Sequence, residues 1–345
     1  ELARFSNLDH GIRSLEVLSG PQSPLASLLV VVDENTALTR LPEVPEGAEV
    51  AGKLAEEFST KARRLSQAMQ RAKGAGAGSL VKGPGIEVEK AFKPIQLIVQ
   101  GSGTAPPEIN NLLGQLSEVH SFMSEISAGN RGPSSLNVAA KRMTGGGSGD
   151  AIGRLRTKAT RIQDPVVKNW LFSASDNSWR LILGMANGHV NSLWRSDVLP
   201  TFDRALKNRY PLRKTSSDEV TLADFTGFFG PGGELDMFYN NYLKPFVITK
   251  RKGWSQRSFE KRSLGLSRET LRAFENAYTI RNTFFASGDP NPKVTFNLKP
   301  TYLDANITRF TMDIDGQKIS YSHGPMRTEK LQWPGPDGSS SCLLY

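Results

Sequence analysis

Apolar positions recur at three- and four-residue spacing through most of the chain up to about residue 290, and then switch to every second residue. Ile109, Leu112, Leu113, Leu116, Val119, His120, Met123 and Ile126 mark one buried face of a helix that starts after Pro106-Pro107 and stops at Gly129. Leu54, Phe58, Ala62, Leu65 and Met69 predict another between Pro45 and Gly74. Asp164 before Pro165 supplies an N-cap and a first-turn proline for a helix through Trp170 and Leu171. The tracts Gly74 to Gly78 and Gly145 to Gly149 read as flexible connectors. From Thr221 the helices become aromatic. Thr221 with Asp224 starts a turn carrying Leu222, Phe225, Phe228 and Phe229, ended by Gly230-Pro231-Gly232-Gly233. Leu235, Phe238, Tyr239, Tyr242 and Leu243 share the face of a second helix stopped by Pro245. Ser267 caps a third, lined by Leu271, Phe274, Tyr278, Arg281 and Phe284 or Phe285 up to Gly288.

Beyond Pro292, Val294, Phe296 and Leu298 alternate with polar residues, as do Phe310, Met312 and Ile314 before Asp315-Gly316. If Asp315 and Gly316 are the two turn residues of a hairpin, Ile314 faces Gln317, Met312 faces Ile319 and Phe310 faces Tyr321. Helices first and strands last argue for an α+β chain of several domains: an N-terminal all-α region followed by a C-terminal antiparallel β-sandwich-like domain. The expected divisions are 1–205, helical; 206–290, an aromatic-rich helical subdomain; and 291–345, a β domain.

Composition narrows the function classes. The chain has 345 residues, 43 Lys+Arg against 34 Asp+Glu and a net charge of +9, and is too apolar at 38% to be disordered throughout. A single cysteine, Cys342, excludes an internal disulfide and any zinc site needing two thiolates. The longest apolar run, Leu25 to Val32, falls short of a membrane span, and neither a span nor a signal or transit peptide is visible. Between Lys244 and Arg272, nine basic residues against Glu260 and Glu269 carry seven of the nine net charges, with Trp254 and Phe259 interleaved. That stretch reads as a solvated linker between helices, with a surface for anionic lipid or nucleic acid as the alternative.

Catalytic signatures are incomplete. Gly47 to Lys53 fits half of a phosphate-binding loop, but Leu54 stands where a magnesium-holding hydroxyl is needed, and Gly74 to Ser79 fails the dinucleotide fingerprint at Ser79. His10, His120, His189 and His323 form no helical metal pair, and His120 reads as a core histidine. His323 with Asp313 or Asp315 is the only hydrolase reading, and it lacks a nucleophile signature; the two aspartates next to Gly316 read as turn chemistry. No cofactor or metal is expected.

A series of motifs then runs through the second half. Arg209-Tyr210-Pro211-Leu212, Asp224-Phe225, Phe228-Phe229-Gly230-Pro231-Gly232-Gly233, Leu235-Asp236 and Tyr242 to Val247 come first. Ile280-Arg281, Phe284-Phe285, Leu298-Lys299-Pro300, Leu303-Asp304, Asp313 to Gln317, Tyr321-Ser322-His323-Gly324-Pro325 and Trp333-Pro334-Gly335 follow. In order and spacing this series resembles the TssM/IcmF family of type VI secretion membrane-complex proteins. Leu212 departs from the family's usual Phe, an apolar exchange. The helical stretch before Arg209 matches only in general character.

The resemblance implies a non-enzymatic fragment of a longer inner-membrane protein: its periplasmic part, anchored by transmembrane helices that this stretch does not include. The implied partners are the outer-membrane lipoprotein TssJ, the inner-membrane protein TssL and further copies of the chain, in a ring through which the secretion tube passes. Loops of the β domain after Pro292 are the expected lipoprotein contact. Cys342 to Tyr345 resembles the middle of a β pattern, so the sheet is expected to lack its last strands. The Gly, Pro and aromatic motif residues read as structural. Arg209, Arg281 and Asp236, charges among aromatics, are expected to be buried ion-pair or hydrogen-bonding partners joining the helices to the β domain.

Overall fold

The computed structural model describes residues 5–37, 84–102, 105–147, 149–285, 289–335 and 342–344. The predicted helix over Leu54 to Met69, the Gly74 to Gly78 tract and the half-motif at Gly47 to Lys53 lie outside them. Among the described residues, helices predominate up to Phe284, with one short hairpin among them, and antiparallel strands follow.

The chain divides into two compact units, 1–125 with 149–178, and 126–148 with 179–345. The first holds α1 (Leu8–Ser19), α2 (Pro24–Thr36), α3 (Pro84–Gln100), most of α4 (Ile109–Ala128), α6 (Ala151–Arg161) and the start of α7 (Pro165–Leu193). Leu112, Leu116, Val119 and Met123, the face read from the spacing, are buried together with Ile152 and Leu155. His120 is half-buried, 3.4 Å from the Ser124 hydroxyl. Asp164 caps α7 as predicted, accepting from the N–H groups of Val166 and Val167 at 3.0 and 2.8 Å, and α7 continues well past Leu171, to Leu193. Leu8–Thr36 does contain an 18-residue stretch apolar enough to cross a membrane by length and composition, with mean hydropathy 1.4, and residues 20–23 separate α1 from α2 within it.

Among its described residues the second unit holds α5 (Arg131–Lys141), the remainder of α7 with its helical continuation to Leu206, α8 (Leu222–Phe229), α9 (Glu234–Phe238), α10 (Arg268–Phe284) and seven strands. Gly145 and Gly146 belong to the helical turn that follows α5 rather than to a loose connector. Gly145, at φ 110°, closes the helical turn after α5, and Asp150 caps α6 by accepting from the Gly153 N–H at 2.8 Å. The basic stretch is likewise no linker. It folds into a hairpin, β1 (Val247–Lys250) on β2 (Gly253–Gln256), and a loop returning to α10. Trp254 holds the hairpin down against Tyr239 and Tyr278, with ring centres 5.1 and 5.0 Å away.

Two sheets form the C-terminal part. β3 (Val294–Leu298) pairs with β6 (Glu329–Trp333), and β4 (Phe310–Ile314) lies between β5 (Gln317–Tyr321) and β7 (Cys342–Leu344). The β4–β5 register is the predicted one, Ile314 with Gln317, Met312 with Ile319 and Phe310 with Tyr321. Asp315 and Gly316 both take positive φ, 50° and 78°, the two-residue turn an Asp-Gly pair favours.

Candidate functional site

Many of the motif residues gather at two polar centres of the second unit. The first is Asp236. Gly230 and Gly233 let the chain turn tightly after α8: a Cβ on Gly230 would lie 2.5 Å from the Thr226 carbonyl oxygen, and one on Gly233 2.7 Å from that of Gly227. The turn delivers the Gly232 N–H to Asp236 Oδ2 at 3.0 Å. On the other carboxylate oxygen, Arg281 Nη1 donates at 2.8 Å, Tyr278 OH at 3.0 Å and Asn240 Nδ2 at 3.0 Å. Four donors therefore satisfy a carboxylate that is 9% exposed. Burial and the hydrogen bond to Asp236 raise the Tyr278 phenol far above its ordinary pKa of 10.0, and burial raises that of Tyr239 as well. Phe225, Phe228, Phe229 and Phe285 pack beside this centre, with Phe228 and Phe229 edge-to-face at 5.0 Å.

The second centre closes the β domain. Asp313 Oδ1 accepts from the Gly316 N–H at 2.9 Å, steadying the turn. Asp315, 1% exposed, accepts from the Gly335 N–H at 3.1 Å, so the segment after β6 sits on the β4–β5 turn. A Cβ at position 335 would meet the Asp315 carbonyl oxygen at 2.1 Å, which requires glycine there. One step along, the Gln317 side chain behaves as a surrogate strand residue. Its Oε1 accepts from the Gln332 N–H at 3.0 Å and its Nε2 donates to the Gln332 carbonyl at 2.5 Å, joining the two sheets.

Models of the type VI secretion protein IcmF helical domain and of the IcmF C2-like domain match residues 185–290 and 296–344. A curated relative, type VI secretion system component TssM1 of Pseudomonas aeruginosa, is 32% identical over 351 residues that take in 97% of this chain. The chain belongs to the TssM/IcmF family. It spans 30% of the length of that relative. The fold is shared with a chain of a type VI secretion system membrane core complex, at TM-score 0.67 and 16% identity, over 98% of this chain and 62% of the other. It is shared equally with a chain of a type VI membrane complex, at TM-score 0.66 and 17% identity, over 98% and 59%.

Within this TssM/IcmF chain the motif residues fall into separate places. Phe228, Phe229, Gly230 and Pro231 shape the turn that feeds Asp236, and Arg281 reaches it from α10. That pair joins α9 to α10, not the helices to the β domain as the sequence suggests. The link to the β domain is instead Phe284 edge-to-face on Trp333 at 5.8 Å, with the Lys293 N–H donating to the Phe284 carbonyl at 2.6 Å. Arg209 makes no ion pair among the described residues. Its neighbours Tyr210 and Pro211 share a cis peptide, and the Tyr210 backbone pairs with Asp218 and Val220. Asp315, Gly316, Trp333, Pro334 and Gly335 gather at the β closure. His323, Gly324 and Pro325 lie in an exposed turn, where His323 Nε2 donates to the Ile307 carbonyl at 2.8 Å and Tyr321 OH to that of Gly324 at 3.0 Å. The imidazole and both aspartates of the hydrolase reading are thus engaged with backbone groups.

One centre escapes sequence reading altogether. Arg142 is fully buried, its guanidinium 4.7 Å from the Trp179 ring centre and 5.2 Å from that of Phe259, with Glu260 at 3.3 Å. Nothing in the spacing of residues 142, 179 and 260 announces that contact.

Proposed function

We propose that the chain is a structural, non-catalytic part of the type VI secretion membrane complex. On this reading it occupies the periplasm, assembles as a ring with further copies and with TssL, and docks the outer-membrane lipoprotein TssJ through its β domain. Membership of the family supports the secretion role, and the arrangement of the β-domain loops supports the docking surface. The 299–309 and 322–328 connections are fastened to each other by the His323 to Ile307 bond, and between them they expose Tyr302 at 78%, Ile307 at 47% and Met326 at 49%. Large apolar side chains on loops held by a rigid sheet are what a protein partner buries at the centre of an interface.

The test is calorimetric titration of the chain with the soluble part of its cognate lipoprotein. Saturable one-to-one binding that weakens at least tenfold in Tyr302→Ala/Met326→Ala, at unchanged thermal midpoint, is the expected result. Wild-type affinity in that variant would remove the loops from the contact.

A further inference from the structure

The β1–β2 hairpin leads into a loop, residues 257–266, that is fixed on every side. Trp179 Nε1 donates to the Phe259 carbonyl at 3.3 Å and Asn187 Nδ2 to that of Leu264 at 2.9 Å. Gln256 Oε1 accepts from the N–H groups of Gly265 and Leu266 at 3.0 and 2.9 Å, and its Nε2 donates to the Leu266 carbonyl at 2.6 Å. At the loop's apex Phe259 and Arg262 exchange backbone hydrogen bonds of 2.9 and 3.0 Å around Glu260 and Lys261, which both take left-handed φ, 50° and 62°. Such a turn favours Asn-Gly, because side chains with a Cβ are strained there.

Glu260 has a reason to occupy its strained corner, since from there it meets buried Arg142 at 3.3 Å. Lys261 has no such reason: it is exposed and makes no ion pair among the described residues. A non-glycine residue held in a disfavoured conformation points to a role outside folding. Lys261 stands at an open cleft of about 430 Å³ between this loop and α7, together with Arg180 and Arg262, and no carboxylate lines it. Asn187 and Ser263 add polar groups, and the buried Leu183 and Leu264 give it a partly apolar floor.

We infer that this cleft is a docking site for an acidic polypeptide segment of a partner, with Lys261 and Arg262 receiving its carboxylates. A preorganised loop loses little freedom on binding, so modest charge pairing is enough to hold such a segment. A polypeptide fits better than the other polyanions. A nucleic acid would want an exposed aromatic for stacking, and Phe259, the one aromatic on the loop, is packed against Trp179 and Arg142. A membrane would want exposed apolar side chains to insert, and the leucines here are buried. The site lies outside the β domain and does not rest on the lipoprotein contact.

Fluorescence anisotropy of a labelled octaglutamate peptide with the whole 345-residue chain, at low and moderate salt, tests the inference. Saturable binding should weaken about tenfold in Lys261→Glu/Arg262→Glu, as expected for two reversed exposed pairs. Lys250→Glu/Lys252→Glu, which makes the same change in net charge at the β1–β2 turn, should weaken it by less than about threefold, because those charges sit outside the cleft. Lys261→Gly separates function from folding. It relieves the left-handed corner and should raise the melting midpoint by a degree or more while still weakening the peptide. No saturable binding, equal losses in the two charge-reversal variants, or unchanged peptide affinity in Lys261→Gly would each overturn the inference. So would tighter cleft-dependent binding of phosphatidylglycerol vesicles or of a single-stranded oligonucleotide.

Discussion

Removing the Asp236 carboxylate should unfasten the second unit at its centre. Asp236→Ala deletes the acceptor of four hydrogen bonds, from Gly232, Asn240, Tyr278 and Arg281. A charge-assisted bond to a buried carboxylate contributes about 1.5 to 3 kcal/mol, and a neutral donor left without a partner costs about 1 kcal/mol or more. The Arg281 side chain is 26% exposed and regains part of its hydration, and Asn240 keeps its bond to the Asp236 backbone carbonyl, so the sum is discounted to about 3 kcal/mol. For a unit of this size that lowers the melting midpoint by roughly 6 to 12 °C. Tryptophan fluorescence is the natural probe, because Trp254 packs edge-on against Tyr278, itself bonded to Asp236. Arg281→Ala should lose less, roughly 2 kcal/mol, since the three other donors stay on the carboxylate. The double variant should lose less than the two single losses together, by about 1 kcal/mol or more, because the two residues are in direct contact. A midpoint in Asp236→Ala within about 1 °C of the parent would refute the idea that this node holds the unit together.

Two further outcomes follow from the same geometry. Gly335→Ala should open the β closure, since its Cβ would overlap the Asp315 carbonyl oxygen. Amide exchange should rise in β6 and in the β4–β5 turn while the helices of the second unit stay protected; unchanged protection would contradict the close approach. The raised phenol pKa of Tyr278 means that the native state holds a proton the unfolded chain releases near pH 10. Its contribution is therefore complete below pH 10 and lost as pH climbs above it, so Tyr278→Phe should flatten the alkaline decline in melting midpoint, and an identical decline in the variant would reject this.

The β4–β5 register was legible because two independent signals agree: Asp315-Gly316 demands a two-residue turn, and the alternation of Phe310, Met312 and Ile314 fixes which face is buried. The hairpin of β1 and β2 was not. Its strands are four residues long, its turn is Arg251-Lys252, and what holds it is Trp254 on two tyrosines contributed by α10 and the turn after α9. A run of cations there looks like a linker until those tertiary contacts are known. Strand β6 carries just Leu331 and Trp333 as apolar markers, too few for a period. Asp236 and Arg281 stood out as charges among aromatics, yet sequence could not say that they serve each other, nor that Phe284 and Trp333 carry the connection to the sheets. The role of Gln317 is invisible in its motif, since a side chain completing another strand's ladder leaves no periodic trace.

The placement of those side-chain fastenings has a mechanical consequence. Asp315 to Gly335 and Gln317 to Gln332 both lie where β4 turns into β5 and where β6 ends, beside Trp333 and the helix it rests on. The strands then run five residues, about 13 Å, before the 299–309 and 322–328 connections leave them. The two sheets are therefore pinned at the helical end and bridged at the far end by the exposed His323 bond. A load on Tyr302, Ile307 or Met326 acts on a lever whose pivot is the Asp315–Gly335 closure, and from there it reaches α10 at Phe284, through the Trp333 ring and the Lys293 N–H.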